Sequence, residues 1–147
     1  MALKEQLMDD LKAAMKEKDI VRKNSVQSVR AAVLQVEKDN KVELDDEGVI
    51  DVIAKELKRR RDVLPEYEKS GREDAIAELN REIEVLLAYL PEPLTAEELE
   101  TIVLQAMEEV GASSMKDMGK IMAAVTPKTR GRADGRQINQ IVKSKLG

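Results

Sequence analysis

Apolar residues recur every three or four positions along almost the whole chain, and this spacing constrains the fold more than any other feature. It places them on one face of an α-helix, whereas a half-buried strand would alternate apolar and polar residues strictly. The pattern runs from Leu3 to Met15, from Val26 to Val36, from Val49 to Leu64 and from Ile76 to Leu90, and it resumes at Leu94. We therefore predict an all-α protein.

The helices must pack through an aliphatic core, because aromatic residues make up only 1% of the chain. Ala, Leu, Glu, Lys and Arg together account for about half of all residues, which is typical of long helices or coiled coils. No apolar run approaches the roughly 18 residues that cross a membrane, so we expect no membrane partner.

Two closely spaced prolines, Pro91 and Pro93, mark the best candidate for a domain boundary. Proline removes a backbone donor and restricts the residue before it, so a helix cannot run through such a pair undisturbed. We predict an N-terminal helical bundle over residues 1–92 and a small C-terminal subdomain of three helices over residues 93–147, with a hinge at Leu90–Leu94.

Local signals also predict where individual helices begin and end. Side chains able to accept from a free backbone N–H of the first turn stand ahead of several apolar stripes. These candidate caps are Asp45 or Asp46, Ser70 with Glu73, Thr95 with Glu98, Ser113 or Ser114, and Asp134 with Gln137. Pro65 predicts a kink or stop near Leu64, and Pro127 predicts the end of another helix.

Histidine and cysteine are both absent, which excludes several kinds of chemistry. Without them there is no imidazole base, no Ser/His or Cys/His pair, no zinc site built from either residue and no disulfide. Acid–base work could fall only to Asp, Glu, Lys or Tyr. We therefore expect no catalytic residue, no metal site and no cofactor, and we favour a protein that is not an enzyme by itself.

Positive charge is concentrated near the C-terminus, although the whole chain has a formal net charge of −4. Residues 116–147 carry eight bases and two acids, and four of these bases lie between Thr126 and Arg136. Cations, flexible glycine and the start of a helix together suit a phosphate group. We predict a phosphate- or RNA-binding loop; the alternative is a solvated, mobile loop. Its candidate residues are Lys128, Arg130, Gly131, Arg132 and Arg136.

A second basic segment comprises Lys58, Arg59, Arg60 and Arg61. Four consecutive residues spread around a helix instead of forming one stripe, and acids lie within pairing range three or four positions away. We favour a salt-bridged helix surface over a second RNA contact.

Longer stretches of the chain resemble the YqeY family of small bacterial proteins. The resemblance is carried by "YLPEPLTAEELETIV" (Tyr89–Val103), "EVGASSMKDMGKIMAAVTPKTRGRADGRQINQIVKSKL" (Glu109–Leu146), "KRRRDVLPEYEKSGRED" (Lys58–Asp74) and "ELNREIEVLLAYLP" (Glu78–Pro91). It spans nearly the whole chain. Similar proteins usually continue helically where Pro65 stands, so we expect a shorter helix here.

This resemblance implies a relationship to the C-terminal tail of the GatB component of the glutamine-dependent aspartyl/glutamyl-tRNA amidotransferase. That tail is all-helical and helps to hold tRNA, while other parts of the enzyme perform the chemistry. Residues Lys128, Arg130, Gly131, Arg132 and Asn139 match the motif region of its small subdomain. Family naming also implies carbon–nitrogen ligase activity with glutamine as amide donor, which nothing else in this sequence supports.

Three functions remain open at this stage. The first is a module that binds tRNA or another structured RNA, and the second is a protein-interaction or adaptor module that acts through helix faces. The third is an accessory role in an amidotransferase. The first ten residues lack the apolar segment of a signal peptide, so we expect a soluble, cytoplasmic protein. The oligomeric state does not follow from the sequence.

Overall fold

The computed structural model describes residues 2–146, which form seven α-helices and one short 3-10 helix, with no strand in that range. The all-α prediction is confirmed. The helices are Leu3–Glu17 (α1), Ile20–Asn40 (α2), Asp46–Ser70 (α3), Glu73–Leu87 (α4), Ala96–Glu109 (α5), Met118–Thr129 (α6) and Gly135–Leu146 (α7), with the 3-10 helix at Met115–Asp117. None of them is both long and apolar enough to cross a membrane.

The chain divides into two compact units between Leu90 and Pro91. We call the part up to Leu90 the N-terminal unit and the part from Pro91 onward the C-terminal unit. Each has its own hydrophobic core, as expected of parts that could fold separately.

The N-terminal unit packs α1 to α4 around an aliphatic core, with α2 in contact with all three other helices. Fully buried side chains include Leu7, Val29, Ile53 and Leu86. One detail of the predicted stripe is wrong: Met15 is 53% exposed, and Ala14 occupies the buried position instead. Ala14 is completely buried in the last turn of α1, where close packing leaves room for a single methyl group.

Polar contacts join the ends of these helices. Asp46 accepts a hydrogen bond from the backbone N–H of Leu3 at 3.0 Å. Glu37 pairs with Lys4 and also accepts from the backbone N–H of Leu44 at 2.7 Å. These two partners hold the pKa of the Glu37 carboxyl below its usual range, with the hydrogen bond from Lys4 as the larger cause.

The C-terminal unit packs α5 against α6 and α7. Its core is formed by Leu99, Val103, Ala106, Met107, Ile121, Val125, Ile138 and Val142. Thr95 and Glu98 form the predicted capping box at α5, and Ser114 forms one with Asp117 at the 3-10 helix. Hydrogen bonds from the backbone N–H groups of Ser113 and Ser114 lower the pKa of the Asp117 carboxyl. This carboxylate therefore acts as part of the cap of the 3-10 helix.

We predicted a kink or a stop near Leu64; α3 does not stop there but continues through Pro65 to Ser70. Pro65 removes one helical hydrogen bond, and it lies on an exposed stretch that runs to Asp74. Leu64, the residue before Pro65, packs against the core, and this contact keeps α3 in place at that point. The stop comes at Gly71, which has φ +70°, a conformation that glycine adopts without strain.

Two further boundary predictions are wrong. Ser70 does not cap α4; its hydroxyl donates to the carbonyl of Tyr67 at 2.6 Å, and Arg72 precedes α4 without a side-chain cap. Pro127 does not end α6, which continues for two more residues to Thr129. Proline within a last turn still leaves the following residues free to hold helical angles.

Candidate functional site

The candidate loop lies between α6 and α7 and is built from the last turn of one helix and the cap of the next. Gly131 has φ +69°, which turns the chain just after α6 ends. The backbone N–H of Arg132 then donates to the carbonyl of Thr129 at 2.9 Å, closing a tight turn. The loop is therefore ordered by its own hydrogen bonds within the C-terminal unit.

Arg132 is tied into the fold of this unit. Its Nε donates to the carbonyl of Glu92 at 2.9 Å, and its own carbonyl accepts from the backbone N–H of Leu94 at 2.9 Å. The side chain is half-buried. Arg132 thus fastens the loop to the segment that leads into α5, forty positions earlier in the chain.

The other loop residues differ in how far they reach solvent. Lys128 is exposed on the last turn of α6, and its Nζ lies 3.6 Å from the Glu109 carboxylate, with both side chains largely in water. Arg136 and Asn139 are exposed on the first turns of α7, whereas Arg130 is half-buried. A solvated ion pair of this kind is weak, so Lys128 remains able to contact an incoming anion.

The start of α7 uses most of its own donors. Asp134 accepts from the backbone N–H of Arg136 at 3.0 Å, and Gln137 accepts from the backbone N–H of Asp134 at 3.1 Å. The Gln137 half of the predicted capping box is therefore present, whereas the Asp134 side chain accepts from the second helical residue, Arg136, instead of from Gln137. The backbone N–H groups of Gln137 and Ile138 donate to the Asp134 carbonyl. Three N–H groups at the start of α7, those of Arg136, Gln137 and Ile138, are thus bonded to Asp134, and an anion would meet mainly side-chain cations here.

Two lysines at the end of α7 were not among the predicted site residues. Lys143 and Lys145 are exposed there, and Lys145 lies 3.2 Å from the Glu100 carboxylate on α5. The sequence did contain a signal, since both lysines belong to the basic C-terminal quarter, residues 116–147, where eight bases accompany two acids. Neither lysine falls within the glycine-containing loop.

The second basic segment forms ion pairs along α3. Lys58 lies 3.2 Å from Asp62, and Arg59 lies 3.4 Å from the buried Glu56. Arg60 sits between Glu56 and Glu82, at 3.7 Å and 3.9 Å. Arg61 is exposed on the same helix. Three of the four bases of this segment are therefore paired with acids of the N-terminal unit.

Residues 2–146 contain no group of three or more acidic side chains placed to hold a metal ion. The arrangement on the C-terminal unit is thus a set of solvent-facing cations held at fixed spacing by a capped helix and a fastened loop. Chemically, such a set can bind phosphate oxygens or carboxylates.

Comparison with known proteins gives one family. The sequence model described as "Yqey-like protein" matches residues 4–146. Similar curated proteins carry the name "Altered inheritance of mitochondria protein 41, mitochondrial". The one from Kluyveromyces lactis is 34% identical over 111 residues, covering 73% of this chain and 60% of that protein. The one from Pyrenophora tritici-repentis is 26% identical over 147 residues, covering 96% and 79%. The one from Candida glabrata is 32% identical over 111 residues, covering 73% and 61%.

The chain therefore spans about three fifths of the length of two of these relatives. Their names also bear on location: we expected a cytoplasmic protein, and these three relatives are named as mitochondrial. The cytoplasmic prediction is contradicted by this finding. It rested on the absence of an apolar leader, and mitochondrial targeting segments are amphipathic instead of apolar.

Proposed function

The chain belongs to the YqeY family, and we propose that its C-terminal unit binds structured RNA, such as tRNA, by contacting phosphates with the exposed cations around the α6–α7 loop. The observation that carries the proposal is the concentration of eight bases against two acids in residues 116–147 of a chain that is acidic overall. A local excess of this kind attracts polyanions even when the net charge of the protein is negative.

The geometry divides the work among the loop cations. Lys128 and Arg136 are exposed, one at each end of the loop, and supply the phosphate contacts. Arg132 holds the loop in shape through Glu92, and Gly131 lets the chain turn. Asn139, one helical turn after Arg136, can donate an amide hydrogen bond to the same backbone.

The contact is local, because the remainder of the protein repels RNA. Residues 1–92 carry 17 bases and 22 acids, and residues 93–115 add five acids and no base. A phosphate backbone can therefore lie along the loop and α7 but gains nothing from wrapping around α5. We expect modest affinity that comes from three or four phosphate contacts.

The test is binding of a tRNA transcript to the full-length chain at low salt, with two double variants compared at equal protein concentration. Lys128→Ala with Arg136→Ala removes two exposed cations from the loop. Lys58→Ala with Arg59→Ala removes the same charge from α3 and serves as the matched control. We expect the loop variant to bind at least about tenfold more weakly, and the α3 variant to bind within about threefold of wild type.

Equal weakening of both double variants would mean that only total charge matters, and the loop assignment would be wrong. No binding by the wild type at low salt would contradict the RNA proposal and favour the protein-adaptor alternative. Arg132 is left unchanged in both variants, because its loss would disturb the loop and weaken binding for a structural reason.

A further inference from the structure

A shallow apolar groove of about 240 Å³ lies between α1 and α2 on the N-terminal unit. The two helices are joined by a two-residue turn and pack side by side as an antiparallel pair. Leu7 and Val33 are buried at the base of the groove, and Met8 is half-buried beside them. Leu34 stands at its edge with 60% of its surface exposed. The face thus combines a recess with a protruding aliphatic side chain.

The charged residues at the edges of this groove are not all paired. Lys4 forms an ion pair with Glu37, which also accepts from Leu44. Arg30 on α2 and Glu5 on α1 also line the groove, and neither forms an ion pair or side-chain hydrogen bond with any residue in the range 2–146. One base and one acid, on different helices, are therefore available to a partner.

From these features we infer that the groove is a two-fold symmetric interface with a second copy of this chain. In a two-fold interface every contact is made twice, so one surface must carry both members of each complementary pair. The groove meets that requirement: it offers a protruding leucine and a recess, and an unpaired cation and an unpaired anion. Leu34 of each copy enters the groove of the other, and Arg30 faces Glu5 of the second copy.

The charge pattern favours a second copy over a foreign partner that is apolar or that carries mainly one sign of charge. An apolar helix from another protein would cover Leu34 but leave Arg30 and Glu5 without partners, and burying them so would oppose binding. A partner rich in one sign of charge would satisfy one of the two residues and repel the other. A second copy supplies an acid to the base and a base to the acid in one arrangement.

The experiment measures the dimer dissociation constant of the full-length chain by sedimentation equilibrium. Arg30→Glu places like charges opposite each other in both symmetric contacts, and Glu5→Lys does the same with the opposite sign. We expect each single variant to dimerise at least about tenfold more weakly than wild type. In an equimolar mixture of the two variants each reversed side chain faces an opposite charge, and we expect heterodimers with a dissociation constant within about threefold of wild type.

Two further variants control for general effects. Lys55→Glu makes the same charge change on α3, outside the groove, and should leave the dissociation constant unchanged. Leu34→Asp should also disfavour the dimer, and because Leu34 is mostly exposed in the single chain, circular dichroism should show unaltered helicity.

A wild type that remains monomeric up to millimolar concentration would overturn the proposal and leave the groove for a helix of another protein. The proposal would also be overturned if the Arg30→Glu variant dimerised with the same dissociation constant as the wild type. The same holds if the mixture of the two variants formed no heterodimer tighter than either variant forms alone. In either of these cases any dimer would form through another face.

Discussion

At the scale of single residues, the charge of Arg132 serves the fold of the C-terminal unit. Its Nε donates to the Glu92 carbonyl, and its carbonyl accepts from Leu94. Counting basic residues in the loop therefore overstates the cations that a phosphate could reach. The exposed pair, Lys128 and Arg136, carries the proposed contact, because both side chains face solvent at the ends of the loop.

Ser25 is a fully buried residue on α2 whose hydroxyl has no hydrogen-bond partner among the described residues. A buried hydroxyl without a partner opposes folding, so Ser25→Ala should raise the free energy of unfolding by about 1 kcal/mol. Urea unfolding checks this, with Ser28→Ala as the control, because Ser28 is exposed on the same helix and gains only the higher helix propensity of alanine. An equal gain in both variants would contradict the prediction.

Tyr89 anchors the end of the N-terminal unit to α1. Its hydroxyl donates to the Asp10 carboxylate at 2.5 Å, and Asp10 also lies 3.5 Å from Arg22. Tyr89→Phe should lower the free energy of unfolding, measured in urea, by about 1–2 kcal/mol, because it removes a hydrogen bond to a charged group. Tyr67→Phe is the matched control, since Tyr67 is 40% exposed and should change stability little.

The same contact predicts a pH dependence. Burial, and then the hydrogen bond to Asp10, raises the pKa of the Tyr89 hydroxyl above its usual range. An unfolded tyrosine loses its proton near pH 10, so the stabilisation is complete below about pH 10 and is lost as the pH rises toward the folded value. The stability difference between wild type and Tyr89→Phe should therefore shrink above about pH 10. A constant difference across that range would show that Tyr89 is not protected from ionisation.

At the scale of elements, α3 is the clearest departure from expectation. It continues through Pro65, which has no backbone N–H. The carbonyl of Arg61 therefore lacks the helical hydrogen bond that any other residue at position 65 would donate. Pro65→Ala should restore this hydrogen bond and raise the free energy of unfolding by about 1–2 kcal/mol, after the greater freedom of the unfolded chain is subtracted. Thermal unfolding checks it.

The control for this variant is Pro93→Ala, which changes the same side chain in an irregular segment. No helical bond can form there, and the greater entropy of the unfolded chain should leave stability equal or slightly lower. If Pro65→Ala also gives no gain, α3 is not continuous through that position in solution.

These elements also show what a sequence can reveal about the fold. The caps at Asp45, Thr95, Ser114 and Asp134 were predictable, because a cap depends on groups within about three positions of each other. The continuation of α3 past Pro65 was not predictable. The unfavourable effect of a proline can be read from the local sequence, but the packing of Leu64 that opposes it depends on residues distant in the chain. The contact between Arg132 and Glu92 was likewise hidden, since it joins residues forty positions apart.

At the scale of the whole molecule, the two units carry different surfaces. The N-terminal unit is acidic and presents the α1–α2 groove, and the C-terminal unit presents its cations on the α6–α7 loop and α7. Sequence alone located the basic quarter, because charge is visible residue by residue. It did not locate the groove, because Arg30 and Glu5 stand out only once the structure shows which other charges are paired.

The salt dependence of RNA binding tests the central claim most directly. If Lys128, Arg136 and one or two neighbouring cations each neutralise a phosphate, the logarithm of the association constant should fall with the logarithm of salt concentration at a slope of about −2 to −3. The Lys128→Ala, Arg136→Ala double variant should reduce that slope by about one to two, with an unchanged helical spectrum. A slope near zero in the wild type, or the same slope in the double variant, would contradict a phosphate-binding role for the loop.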